Sequence, residues 1–238
     1  MILYGRNAVR EALRGRRAHT LTRVWATEAT AREPWLAERP IQLSSAAGIE
    51  RRCGSSAHQG VCARLAGYPY VSPQELLAGE APLIVVLDEI QDPRNLGSIC
   101  RTAECAGAAG VAIPQRRSAE ITPAACKASA GAVEHLRVAR VKNIADFLGE
   151  ARRAGCWCYG ASAEAGVSYD SPSYAGAGVV LVLGSEGRGL RPRVARACDE
   201  LIALPLRGRV GSLGVSAAAA AILYAILQDR LQGPEPNP

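Results

Sequence analysis

The sequence predicts a two-part α/β protein, in which a small basic N-terminal α/β unit precedes a larger α/β domain with a mostly parallel sheet. Three observations carry that prediction. Residues 83–87 (Leu-Ile-Val-Val-Leu) and 179–183 (Val-Val-Leu-Val-Leu) are unbroken aliphatic runs, the signature of strands covered by helices on both faces. From residue 83 onward, apolar strand-like segments alternate with helical ones, as βαβ units require. Charge is also divided. Residues 1–70 hold eleven Arg and five Glu, which accounts for the net charge of +6, whereas residues 71–238 hold seventeen basic and seventeen acidic side chains.

Taken in order, residues 4–17 carry Ala8, Val9, Ala12 and Leu13 at helical spacing, 21–26 reads as a strand and 31–38 as a second helix. Residues 41–43, 45–52 and 61–65 continue as strand, helix and strand, completing a unit over 1–68 near the lower size limit for an independent core. A linker follows at 69–80. Within it Ser72, Pro73 and Glu75 supply the N-cap, first helical position and capping box of a short helix. The second domain, 81–231, reads as strands at 83–87, 111–113, 136–141, 156–161, 179–183 and 201–204, with helices at 96–107, 123–130, 143–154, 192–198 and 215–231. Ser129 and Glu134 read as cap and surface residues. The tail, 232–238, with its three prolines, is expected to be disordered.

Composition excludes several classes. With 48% apolar residues and a mean hydropathy of +0.02, the chain is neither disordered nor fibrous. Its longest apolar run, the Ala-rich 215–227, is thirteen residues, short of the roughly 20 a membrane-spanning helix needs. Arg6, Arg10 and Glu11 interrupt what a signal peptide would keep apolar, so a cytoplasmic protein is expected. The eight cysteines contain no C-x-x-C, and His19, His58 and His135 are scattered. Reduced thiols and no metal site are therefore expected.

The basic N-terminal unit suits a polyanion, nucleic acid above all. A solvated basic surface is an equal alternative in a chain that writes 26 Arg and 2 Lys. Arg14, Arg16, Arg17, Arg51, Arg52 and Arg64 are the candidate phosphate contacts. His58 is either an RNA contact or a satisfied histidine near a turn.

In an open parallel sheet, ligands bind beyond the carboxyl ends of the strands. Three loops there stand out. Asp88 is followed by Glu89-Ile90-Gln91-Asp92-Pro93-Arg94-Asn95-Leu96-Gly97, with Arg101-Thr102-Ala103 beyond. Leu183 is followed by Gly184-Ser185-Glu186-Gly187, and Leu204 by Pro205 and then Ser212-Leu213-Gly214-Val215-Ser216. None has P-loop or G-x-G-x-x-G spacing. Their exposed backbone suits a flat adenine held by main-chain groups, although each alone also reads as an ordinary turn.

In order and spacing the three loops resemble the three motifs of the SpoU (TrmH-type) branch of the SPOUT RNA methyltransferases. Tyr4-Gly5-Arg6-Asn7-Ala8-Val9, Ala57-His58-Gln59-Gly60-Val61, Arg117-Ser118-Ala119 and Cys198-Asp199-Glu200-Leu201-Ile202 extend the resemblance to the 23S ribosomal RNA guanosine-2′-O-methyltransferase group, over residues 2–231. It implies an N-terminal RNA-binding domain like ribosomal protein L30e, a SPOUT domain with a deep C-terminal trefoil knot, and a homodimer whose subunits share each site. It implies ribosomal RNA as substrate and S-adenosyl-L-methionine as cofactor, with Leu183, Gly184, Leu204 and Leu213 around the adenosine. Arg101 is implied as the group that activates the ribose 2′-hydroxyl, its alternative being a surface pair with Glu104. Asn95 and Glu186 are implied to shape the site, Asn95 by hydrogen bonds to Arg101 or to the ribose and Glu186 by fixing a loop or Arg, its alternative being to hold the loop alone, and Ser212 is implied to exchange a hydrogen bond with the 2′-oxygen.

The chain departs from the family at Gly214, where Asn is expected. Loss of one positioned amide costs on the order of 10²–10³ in rate, so an RNA-binding protein with weak or lost methyltransferase activity stays open beside the enzyme. Transfer RNA or an antibiotic-resistance site is the alternative substrate.

Overall fold

The computed structural model describes residues 1–37 and 39–233. Near the N-terminus, four strands pair in the order β1 (Ile2–Tyr4), β4 (Val61–Arg64), β2 (Arg23–Ala26), β3 (Ile41–Leu43). β4 runs antiparallel to both neighbours and β2 parallel to β3. Helices α1 (Arg6–Ala12), α2 (Glu28–Ala31) and α3 (Ala46–Cys53) pack around the sheet. α1 buries Ala8, Val9 and Ala12 as the spacing predicts, but it ends five residues earlier than predicted. Gly15 lies against Glu134, where a Cβ would stand 2.5 Å from the Glu134 Cβ, and the Arg16 N–H donates to the Glu134 carbonyl at 3.0 Å. Contact between the two lobes stops this helix. The helix predicted over 31–38 is instead α2, capped by Thr27, and a separate 3₁₀ turn, Pro34–Leu36, because a proline bars helical conformation in the residue before it.

The second lobe is a seven-stranded sheet in the order β7 (Val138–Val141), β6 (Gly110–Pro114), β5 (Leu83–Asp88), β10 (Gly178–Gly184), β8 (Cys156–Ala161), β11 (Glu200–Ala203), β9 (Val167–Ser168). Every neighbouring pair is parallel. β5 and β10 send alternate side chains to opposite faces, so both faces must be covered. Leu83, Val85, Leu87, Leu181 and Leu183 join the core under α5 (Pro93–Cys105) and α9 (Val215–Gln232). Ile84, Val86, Val180 and Val182 join the opposite core under α7 (Ile144–Arg153) and α8 (Pro192–Ala195). Each such buried side chain contributes roughly 1.5–3 kcal/mol. The two-residue β9 was not predicted, being too short to show a period.

The stretch read as a linker is pinned down. Val71 bridges to Ala139 in parallel, and α4 (Pro73–Leu77) buries Leu76 in the second core. The Tyr68 hydroxyl reaches the Leu136 and Val133 carbonyls, at 2.6 and 3.1 Å. Nearby, Arg17 crosses between lobes to Glu134 with a bidentate pair at 2.6 and 2.8 Å, both residues being almost wholly buried. Arg17 is therefore not an RNA contact: its five donors are spent inside the protein, and Glu134 is not a surface residue. Ser129 does cap α6 (Pro123–Ala128), but buried, its hydroxyl donating to the Cys126 carbonyl at 2.8 Å. Of the predicted disordered tail, residues 234–238 lie outside the described residues. Gln232 is the last residue of α9.

Candidate active site

A cleft of about 580 Å³ opens at the carboxyl ends of β10 and β11. Ala161, Leu183, Ile202, Leu204, Val215 and Ile222 make its apolar wall, and Ser185, Glu186, Ser212 and Leu213 surround them. The cleft thus gathers Leu183, Gly184, Leu204 and Leu213 together with Ser212 and Glu186. Each stands at or just beyond the carboxyl end of a parallel strand or on the segment leading into α9, which is why residues so distant in sequence meet.

Gly184 shows why one loop needs its glycine. Ser185 and Gly189 exchange backbone hydrogen bonds at 3.1 and 2.9 Å, folding the loop back on itself. A Cβ on Gly184 would lie 2.1 Å from the Gly189 carbonyl carbon. The bare backbone makes this close turn and leaves main-chain groups facing the cleft. Gly214 caps α9 at φ 77°, ψ 145°, a conformation that favours glycine. The nearest atom to a Cβ there is the Glu186 Oε1, at 4.0 Å. An asparagine at 214 would have room but not relaxed backbone, so the departure from the family pattern involves loop conformation as well as a missing amide.

Beside the cleft, the Asn95 Nδ2 donates to the Glu186 Oε1 at 2.9 Å, tying the start of α5 to the loop after β10. Asp92 caps α5 by accepting from the Arg94 N–H at 2.8 Å, and its hydrogen bonds from Arg94 hold its carboxyl below the ordinary value. Arg101, six residues beyond Asn95, is turned about 120° around the helix. It is exposed, lies outside the cleft wall, and makes no ion pair among the described residues, the one with Glu104 included. The chain therefore brings Glu186 and Ser212 to the cleft, with Asn95 beside it on Glu186, and leaves Arg101 on the outer surface.

Asp88 was missed as a supporting residue. Wholly buried at the end of β5, it accepts from the Arg191 backbone N–H at 2.9 Å and from the guanidinium at 2.7 and 2.8 Å, fixing the segment after the β10 loop. Its signal was a carboxylate closing an otherwise apolar run.

Of the basic residues in the N-terminal lobe, Arg14, Arg16, Arg51, Arg52 and Arg64 are exposed. Arg52 and Arg64, with Arg23, bring their guanidinium carbons within 5.2, 5.8 and 5.8 Å of the Trp25 ring centre. Arg23 and Arg64 stand directly opposite on antiparallel strands, a like-charge pairing that costs stability. Arg23 was missed, though its two-residue spacing from Trp25 places both on one face. His58 is buried, and its Nδ1 accepts from the Gly60 N–H at 2.9 Å. It closes a turn. Among the described residues no group of three His, Cys, Asp or Glu could hold a metal, and no helix is long and apolar enough to cross a membrane.

Comparison with known proteins gives a consistent result. A family model described as the SpoU rRNA Methylase family matches residues 82–224, and one described as RNA 2′-O ribose methyltransferase substrate binding matches residues 2–71. YacO of Bacillus subtilis, named as a TrmH family tRNA/rRNA methyltransferase, is 38% identical over 95% of this chain and 94% of its own. The AdoMet-bound rRNA methyltransferase of Sinorhizobium meliloti superposes with a TM-score of 0.80 at 25% identity, over 95% of this chain and 86% of that one. The SpoU methyltransferase AviRb of Streptomyces viridochromogenes, at 21% identity and a TM-score of 0.80, covers 98% of this chain and 91% of its own and shares the fold.

Proposed function

The chain belongs to the SpoU rRNA methylase family, and from that premise we propose that it is a cytoplasmic RNA 2′-O-methyltransferase that uses S-adenosyl-L-methionine to methylate a guanosine of 23S ribosomal RNA. The observation that carries this reading is the cleft at the ends of β10 and β11, in which residues of the second and third motifs form the wall and Asn95 of the first holds Glu186. The cleft fits the cofactor. Its wall is apolar enough for an adenine, its glycines leave main-chain donors and acceptors open, and Glu186 and Ser212 supply polar groups at one end.

S-adenosyl-L-methionine supplies a methyl group on a sulfonium. Leu183, Leu204 and Leu213 would enclose the adenosine, and Gly184 would let it approach the backbone. Glu186, held by Asn95, fixes the loop that borders the reacting end. Ser212, which lines the cleft, would exchange a hydrogen bond with the ribose 2′-oxygen. A neutral alcohol is a poor nucleophile until its proton is shared, and Arg101 with the RNA phosphate is the pair we assign to that task. Much of the remaining rate comes from holding the ribose in line.

Because Arg101 faces away from its own cleft, we assign it to the site of a second copy. On α9, which packs against α5, Tyr224 and Leu231 are 50% and 77% exposed, the apolar surface a homodimer would cover. A deep knot formed by the segment entering α9 is part of the same reading.

The test is methyl transfer to unmodified 23S and transfer RNA transcripts, with the product mapped by nucleoside analysis. The reading expects 2′-O-methylguanosine in the 23S transcript. Modification of the transfer RNA alone would overturn the substrate. Mixing inactive Arg101→Ala and Ser212→Ala protomers should restore part of the activity, because one site of each hybrid dimer is then intact; no restoration would refute shared sites.

A further inference from the structure

Beyond the carboxyl ends of β5, β6 and β7 the surface sinks into a second basin of about 650 Å³. Five cations line it: Arg116 and Arg117 after β6, Lys142 after β7, and Arg191 and Arg193 beside α8. Two are neutralised, Arg191 by Asp88 at 2.7 Å and Arg193 by Asp146 at 3.3 Å. Arg116 and Lys142 have no ion pair among the described residues, and Arg117 approaches a carboxylate only at Glu89, 3.9 Å away. Arg116, Arg117 and Lys142 are exposed, so their charge is presented to solvent.

Three features show a built site. Glu89 and Arg117, which meet across the basin, both hold left-handed backbone, at φ 60° and 58°. Such conformations persist where the surroundings impose them, often at ligand clamps. The Glu89 Oε1 lies 3.5 Å from the Arg191 guanidinium and 3.9 Å from that of Arg117, which offsets its negative charge and ties the two sides of the basin together. Finally, a notch shares lining residues with both the basin and the cleft. Glu89 also lines the notch formed by Asp92, Asn95, Ser185 and Glu186, and the last two of these border the cleft itself.

We propose that this basin binds the phosphodiester backbone of the RNA beside the methylated ribose, with Arg116, Arg117 and Lys142 as the contacting cations. The proposal rests on the RNA methyltransferase reading above and places part of the RNA grip on the catalytic lobe, apart from the basic N-terminal unit. A ribose at the cleft carries a phosphate on each side, and the notch shares lining residues with both the cleft and the basin. Guanidinium groups bind phosphate bidentately, and an ammonium adds a point charge.

The experiment uses the full-length protein and a 23S transcript, with affinity measured across a salt series, and compares three double variants. Arg116→Ala with Lys142→Ala should weaken binding at least tenfold near 0.1 M salt and raise the KM for RNA. It should also reduce the slope of log affinity against log salt by about 1.4, since each single-strand phosphate that is no longer neutralised removes roughly 0.7. Its S-adenosyl-L-methionine affinity should equal that of the wild type. Arg116→Lys with Lys142→Arg should retain binding. Arg137→Ala with Arg153→Ala, which removes the same charge at the opposite end of the sheet, should leave the slope unchanged. The proposal fails if the first variant binds with wild-type affinity and slope, or if the first and third weaken equally, because the effect is then one of net charge. Failure of the underlying reading is separately visible as a wild-type protein that transfers no methyl to any RNA.

Discussion

Replacement of Arg17 by methionine tests how the two lobes are held together. The guanidinium contacts both Glu134 oxygens at 2.6 and 2.8 Å, donates to the Ala66 carbonyl at 3.0 Å and lies 5.5 Å from the Tyr68 ring centre. Burial alone would lower the Arg17 pKa, but the bonds to Glu134 more than offset it and the net shift is upward. The substitution keeps most of the side-chain volume and leaves Glu134, 1% exposed, without its counter-charge. Stranding one partner of a buried pair costs about 3–5 kcal/mol. In a chain of this length each kcal/mol lowers Tm by about 2–4 °C, so a fall of roughly 6–20 °C is expected. The double variant Arg17→Met with Glu134→Leu removes both charges and should recover most of the stability, since apolar replacement of a whole buried pair is often neutral or stabilising. Urea unfolding followed by circular dichroism measures all three proteins. A single variant within about 1 kcal/mol of wild type would show that the pair does not hold the lobes together, because about 1 kcal/mol is what an exposed pair contributes. RNA affinity of the double variant should match that of the wild type; a large drop would return Arg17 to the RNA surface.

Other outcomes are as specific. Gly184→Ala should fold with a stability loss of about 1–3 kcal/mol and weaken cofactor binding at least tenfold by calorimetry, because the Gly189 backbone must move; unchanged affinity would place the cofactor elsewhere. Gly214→Ala and Gly214→Asn carry the same backbone strain at φ 77°, ψ 145°, on the order of 1–3 kcal/mol, so both should lower Tm, but only Asn offers an amide towards Glu186 and should transfer methyl faster than Ala. Equal rates would mean that the missing amide has no role. All eight cysteines are free. Burial pushes the Cys62 thiol up to about 11 and those of Cys126 and Cys198 up to about 12, so at pH 8 maleimide should modify exposed Cys105 first and spare these three. Their rapid labelling would contradict the packing.

The parts of the fold governed by local periodicity were legible in the sequence. β5 and β10 announced themselves as aliphatic runs, and the rule that ligands sit beyond parallel strand ends singled out the loops bearing Asn95, Glu186 and Ser212 before their proximity was visible. Contacts between distant segments were not legible. Nothing distinguishes Arg17 from 25 other arginines until Glu134, 117 residues away, is brought beside it. The same contact ends α1 at Ala12, where helical spacing alone continues. At Gly214 the sequence showed a missing side chain, whereas the backbone angle that accompanies it became visible only in the folded loop.

The most direct test of the central claim, that the cleft at the ends of β10 and β11 is the methyl-donor site and Arg101 acts at it in the dimer, is calorimetry with S-adenosyl-L-methionine followed by methyl incorporation into 23S transcript in the same sample, for wild type and Arg101→Ala. Both proteins should bind the cofactor with similar affinity, and only the wild type should transfer the methyl. Transfer by Arg101→Ala at most of the wild-type rate would contradict the claim, as would a folded wild-type protein that does not bind the cofactor.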